Sequence, residues 1–330
     1  SIAPRLGTLA ALPVALAGSA AISAYSRQQE HAADQLGVGY AAAAGYEPVA
    51  LADALGALER EHALHENAAS RPSFLSSHPT TPDRRQRVEE HARNQQIGPK
   101  APASGNRATA LKNLTGLMVG PNPKNGAFVG DRFLHPELGF KLRLPAKWKH
   151  VNTPEAVASL PDAKSRDVFV TLKLAGEGDD PMDLFAEEGL DESLMKKVER
   201  RRIAGLPAAR LVSDSQGSVV DVTWVAHRGR IYAITGTAPA AAARRYQPIF
   251  RRVADSFAPL TASDRGQITE LRVAVASAQE GESTRALAQR SRSEWNADWV
   301  AAANAWPASK RLSAGQAMKI AVKRRYKEKP

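Results

Sequence analysis

The chain of 330 residues is 43% hydrophobic and 24% charged, the composition of a folded protein and not of a disordered one. It contains no cysteine, which excludes disulfides, thiolate metal sites and cysteine nucleophiles. The formal net charge of +11 sits in residues 101–330, which hold 36 Lys and Arg against 24 Asp and Glu, while residues 1–100 hold 9 against 10.

Residues 6–24 form a weakly apolar run rich in Ala, Leu and Gly, broken by Pro13. The proline and the low hydropathy argue against a membrane span. The run passes straight into a helical pattern, so it reads as a buried or membrane-skimming helix pair; a signal-peptide core ending at residues 21–24 is the alternative. A helix is expected from residue 26, and a second from Pro48 through Leu55 and Leu58. Residues 62–78 read as a loop containing Pro72, and Pro82 opens a polar helix over 83–94. Residues 96–127 are rich in Gly, Pro, Asn and Lys and read as a linker.

From residue 128 the period changes. Residues 139–145 and 167–174 alternate as half-buried strands, helical spacing returns over 182–198, and a hairpin spans 219–237 about the turn at 227–230. A helix over 240–257 closes an α+β domain. The last unit reads strand 271–275, helix 284–291, helix 294–303 and a strand ending near 320. Basic runs at 200–202, 244–245, 251–252 and 323–325 suit a solvated face, or contact with an anionic lipid or acidic wall polymer. No RNP-type, zinc-finger or helix-turn-helix pattern accompanies them, so no nucleic acid is expected as a partner.

One stretch carries chemistry. Residues 26–37 read S-R-Q-Q-E-H-A-A-D-Q-L-G, and residues 44–48 read A-G-Y-E-P. Helical spacing places Glu30 and Asp34 on one face. The pattern S-R-x-x-E-x-x-A-D-x-x-G followed by A-G-Y-[DE]-P resembles the third-zinc-ligand segment of the HtpX-like and BepA-like zinc metallopeptidases. Residues 77–84, S-H-P-T-T-P-D-R, resemble a downstream signature of the same family. The resemblance covers residues 1–95. It implies Glu30 as a ligand of one Zn²⁺ and Asp34 as the hydrogen-bond partner of a ligating histidine, with Arg27 close enough to pair with both carboxylates. It also implies that His78 and Arg84 assist the oxyanion or hold the substrate backbone.

Such enzymes take their other two ligands and their general base from an H-E-x-x-H helix. That motif is absent from this sequence: His62 and His65 are spaced i, i+3 without it. The chain by itself is therefore expected neither to retain zinc nor to cut peptides. The implied parent is a metalloendopeptidase with its first catalytic helix upstream of Ser1, acting on protein substrates in the periplasm or at the outer membrane in protein quality control. The alternative is a non-catalytic scaffold, built on an inert remnant, that binds peptidoglycan or protein.

Two weaker resemblances complete the picture. L-G-F at 138–140, L-P-A-K-W at 144–148 and the phenylalanines Phe250 and Phe257 resemble a PsbP/Mog1-like domain over 128–260. The strand-helix-helix-strand order of 261–330, with L-S-A-G-Q at 312–316, is similar to LysM-like modules, although Gly281-Glu282-Ser283 replaces the usual Gly-Asp-Thr. That similarity implies peptidoglycan as a partner, or packing alone. The expected architecture is thus multidomain: an α-helical metallopeptidase segment over 1–95, a linker over 96–127, an α+β domain over 128–260 and a small βααβ module over 261–330.

Overall fold

The computed structural model describes residues 27–66, 82–99, 107–162, 165, 167–188, 196–215, 217–307 and 309–328. The helical region contains α1 (Arg27–Ala43), α2 (Ala50–Glu66), α3 (Pro82–Arg93) and α4 (Arg107–Leu114). The A-G-Y-E-P motif has a local physical meaning here. Gly45, at φ 79°, closes α1: its N–H reaches Ala42 O at 2.9 Å and the Tyr46 N–H reaches Ala41 O at 2.9 Å. This pair of bonds is a Schellman cap, which wants glycine because a Cβ is disfavoured at positive φ. Val38 of α1, Ala52 and Leu55 of α2, and Val88 and Ala92 of α3 then form one small apolar core. The helix α2 continues to Glu66, four residues past the expected start of the loop at 62.

Residues 96–127 hold more structure than a linker. They include α4, the strand β1 (Met118–Val119) and a 3-10 turn at Pro123–Asn125. After β1 come two antiparallel sheets. The smaller contains β2 (Ala127–Val129), β3 (Arg132–His135), β4 (Phe140–Arg143) and, from later in the chain, β12 (Ala258–Pro259), in the order β12-β4-β3-β2. The larger is built from β5 (Lys149–Asn152), β6 (Val157–Leu160), β7 (Phe169–Glu177), β8 (Glu199–Ile203), β9 (Leu206–Ser215), β10 (Ser218–His227) and β11 (Arg230–Pro239), in the order β5-β6-β7-β11-β10-β9-β8.

Helix α5 (Pro181–Glu188) and helix α6 (Ala243–Asp255) cover opposite faces of the larger sheet. On the α6 side Val170, Val225 and Ile234 pack with Phe250 and Val253; on the α5 side Leu211, Val222 and Ile231 pack with Leu184 and Phe185. Burial on both faces explains why every residue of β10 after Ser218 is buried, Asp221 and Thr223 included, where a one-sided strand would alternate. Gly236 of β11 leaves the space that the Phe250 ring fills: a Cβ there would lie 2.1 Å from the ring. The helix expected over 182–198 is observed over Pro181–Glu188; residues 189–195 lie outside the described set, and Glu199–Ile203, just beyond the expected helix, form strand β8. The run E-R-R-R-I reads poorly as a strand because β8 is an edge strand, where charged side chains are favoured.

A short helix α7 (Ala262–Gln267) is fixed by a capping box between Thr261 and Asp264. The chain ends with β13 (Thr269–Ser277), α8 (Thr284–Arg290), α9 (Ala297–Ala303) and β14 (Ala317–Arg325). Strand β13 is central to a three-stranded sheet ordered β1-β13-β14, in which Met118 pairs with Arg272 and Val119 with Leu271. The described residues up to 120 form one compact unit together with 271–324; residues 121–270 with 325–328 form the other.

Three histidines of the sheet-rich unit are held neutral by burial. Burial pushes His135 down to about 4, and its Nδ1 accepts the Leu138 N–H at 3.2 Å. His150 and His227 are lowered for the same reason. All three pKa values lie below that of an unfolded histidine near 6.5, so the unfolded state binds more protons and stability falls as pH drops from about 6.5 toward 4. Asp264 acts lower. Burial opposes its charge, but Lys141 and Thr261 hold its carboxyl down at about 2, so its contribution is lost only below about 4. Thermal melts at pH 7.5 and pH 5 should therefore give a lower Tm at pH 5, and His135→Gln should shrink the difference.

Candidate functional site

Glu30 and Asp34, one turn apart on α1, are both buried, at 5% and 7% exposure. Pro82 occupies the first position of α3, where its missing N–H costs nothing, and Arg84 follows on the first turn. The Arg84 side chain crosses to α1. Its Nε donates to Asp34 Oδ2 at 2.6 Å and its Nη2 to Asp34 Oδ1 at 2.8 Å, a two-pronged contact that fixes both planes. The same Nη2 lies 2.8 Å from Glu30 Oε2. The hydrogen bond to Asp34, above all, raises the Arg84 pKa further, so the guanidinium stays charged although only 5% of the residue is exposed. Its remaining nitrogen, Nη1, is buried and has no hydrogen-bond partner among the described residues.

Glu30, Asp34 and Arg84 are thus brought together from two helices by a contact spanning fifty positions in sequence. Spacing alone offers Arg27, three residues before Glu30, as the partner of the carboxylates. The observed partner is Arg84, whose Nε and Nη2 are committed to positioning the two acids. The Arg27 side chain and all of His78 lie outside the described residues. Beside the cluster, a cavity of about 310 Å³ opens between α1 and α3, lined by His31, Asp34, Arg87, Glu90 and His91 among others. There Arg87 Nη1 lies 3.0 Å from His31 Nε2, which must accept since a guanidinium only donates.

A zinc site wants three nitrogen, sulfur or carboxylate ligands around one point. Among the described residues no three His, Asp or Glu side chains converge in that way. Against Oε2 of Glu30, the one ligand that the resemblance implies for this sequence, stands a guanidinium. The described residues therefore do not make a zinc site by themselves. They make a rigid acidic pair held by an internal cation.

Residues 3–92 match the sequence model of Peptidase family M48, and this segment contains Glu30, Asp34 and Arg84. No curated protein matches the chain. Among solved structures the chain is similar to cyanobacterial PsbP (CyanoP) from Synechocystis sp. PCC 6803, at 15% identity and a TM-score of 0.31, covering 43% of this chain and 98% of that one. It is also similar to LpqN of Mycobacterium tuberculosis, a protein involved in cell envelope biogenesis, at 14% identity and a TM-score of 0.28, covering 37% and 83%. TM-scores this low leave the architecture to rest on the strand order itself.

Removing one partner of a buried ion pair leaves a bare charge and typically costs about 3–5 kcal/mol, whereas neutral groups of similar volume are tolerated. Arg84→Met should accordingly lower the urea midpoint followed by helical circular dichroism. The triple variant Glu30→Gln, Asp34→Asn, Arg84→Met should recover most of that loss.

Proposed function

We propose that the helical region is the acidic-ligand part of a zinc metalloendopeptidase domain, whose histidine ligands and general base belong to an H-E-x-x-H helix that this sequence does not contain. The observation that carries the reading is the buried Glu30–Asp34–Arg84 cluster inside the segment that matches Peptidase family M48. What these residues contribute is position. Arg84 ties one oxygen of Glu30 and both oxygens of Asp34, so neither carboxylate can rotate without breaking a charge-assisted hydrogen bond. Ligating carboxylates are commonly held in this manner by a hydrogen-bond donor behind them.

Protein or peptide substrates follow from the family match, and an envelope location, periplasmic or at the outer membrane, with a role in protein quality control, completes the proposal. Among the described residues no helix is long and apolar enough to cross a membrane. The later parts of the chain are read as a PsbP/Mog1-like domain and a LysM-like, peptidoglycan-binding module. The competing reading is a non-catalytic scaffold, built on an inert remnant, that binds peptidoglycan or protein.

The deciding experiment is the intact mass and N-terminal sequence of the protein isolated from its native cell, followed by zinc analysis of that protein. A native chain that contains H-E-x-x-H should hold one zinc, lose it in Glu30→Gln and lose peptide hydrolysis with it. A native chain without the motif that binds no zinc overturns the peptidase reading. The 330-residue chain itself should hold no zinc after dialysis.

A further inference from the structure

We propose that the solvent side of helix α6 is a docking face for a bilayer surface bearing anionic phosphate headgroups, engaged through Arg244, Arg245, Arg251 and Arg252. The inference rests on that helix and is independent of the peptidase reading.

The sequence concentrates one sign of charge here. Residues 222–254 contain no Asp or Glu, and α6 carries four arginines among its 13 residues. Arg244 and Arg251 are spaced i, i+7, as are Arg245 and Arg252. That interval is close to two helical turns, so the four form two neighbouring rows on one surface. All four are exposed. The opposite surface of the helix is buried through Phe250, Val253 and Ala254.

The core fixes which way this surface faces. The Phe250 ring occupies the space left by Gly236. Tyr246 stacks on Phe250 with ring centroids 6.3 Å apart and meets Trp148 edge-on at 6.1 Å. With its aromatic side locked in this way, α6 cannot roll to bring the arginines onto the protein.

Those arginines are also uncommitted. Among the described residues Arg244, Arg251 and Arg252 have no ion pair and no side-chain hydrogen bond. Arg245 lies over the Tyr246 ring at 5.2 Å, a contact that consumes none of its N–H donors. The one acid of the helix, Asp255, already has its cation, since Arg201 of β8 donates to its Oδ1 at 2.6 Å. By contrast, Arg143 pairs with Asp131 at 2.8 Å and Arg210 with Asp221 at 2.7 Å. The positive charge of the α6 face is therefore left for something outside the fold.

The composition of the face selects the occupant. A protein partner is held by an apolar, desolvated centre, and besides the arginines α6 exposes only Pro248 and Asp255. Single-stranded nucleic acid is held by open aromatic faces, whereas Tyr246 and Trp148 are half-buried against each other. A layer of anionic headgroups asks only for several cations presented together, and four or more on one side of an amphipathic helix are enough to attract it. With no apolar side chain to insert, the attachment is peripheral, reversible and weakened by salt.

The test measures co-sedimentation of the full 330-residue chain with vesicles of phosphatidylglycerol and phosphatidylcholine, and with vesicles of phosphatidylcholine alone, at low and high salt. Duplex DNA serves as a second polyanion. The anionic vesicles should bind the chain at low salt and release it at high salt, and the neutral ones should not bind it. Each single Arg→Gln change on α6 should weaken binding about fivefold, and Arg244→Gln with Arg251→Gln by about twenty-fivefold. Arg244→Lys with Arg251→Lys should retain binding, because charge and not fork geometry is what the surface reads. Arg285→Gln with Arg311→Gln removes the same charge from exposed positions of the other compact unit and should change nothing. Tm should stay unchanged in the Arg244 and Arg251 variants, whose side chains have no partner in the fold. Equal binding of neutral vesicles, no binding of anionic ones at low salt, an equal loss in the Arg285 and Arg311 control, or tighter binding of DNA with the same arginine dependence would each overturn the proposal.

Discussion

A carboxylate taken out of water has to be met by a cation or by several hydrogen bonds, and each compact unit of this protein is organised around that constraint. In the helical region it is met by Arg84, which gathers Glu30 and Asp34 and thereby sets how α3 lies against α1. In the larger sheet it is met by Arg210, whose Nε and Nη2 donate to Asp221 at 2.9 and 2.7 Å on the adjacent strand, again with both partners buried. Near the C-terminus Arg290 does the same for Glu282. In all three the acceptor is a carboxylate and the donor is an arginine fork, the geometry that satisfies two oxygens at once.

Pairing of this kind does more for specificity than for net stability. An apolar core of the same volume would serve the fold as well, but it would not dictate which atoms meet. The helical core of Val38, Ala52, Leu55, Val88 and Ala92 is small and made of interchangeable shapes. The fork between Arg84 and Asp34 admits one register only. A functional site needs that fixity, since a carboxylate that presents an oxygen to a ligand must keep its rotamer when the ligand leaves.

The sheet-rich unit reaches fixity by a different route. Its larger sheet is covered on both faces, and close packing sets the details: Gly236 admits the Phe250 ring, Phe140 stacks on Phe257, and Tyr232 of β11 packs tilted against both.

Local chemistry was legible in the sequence. The i, i+4 spacing of Glu30 and Asp34, the Pro82 helix start, the β10–β11 hairpin and the order of the C-terminal elements all depend on residues close together in the chain, and backbone preferences act over that range. So did the absence of H-E-x-x-H, which needs no coordinates. Tertiary structure decided the rest. Nothing in spacing pairs Arg84 with acids fifty positions earlier, marks Met118 and Val119 as a strand beside residues 271–272, or makes E-R-R-R-I an edge strand. Those outcomes follow from burial and from hydrogen bonds that must be completed across the fold, and such demands appear only once distant segments have been brought together.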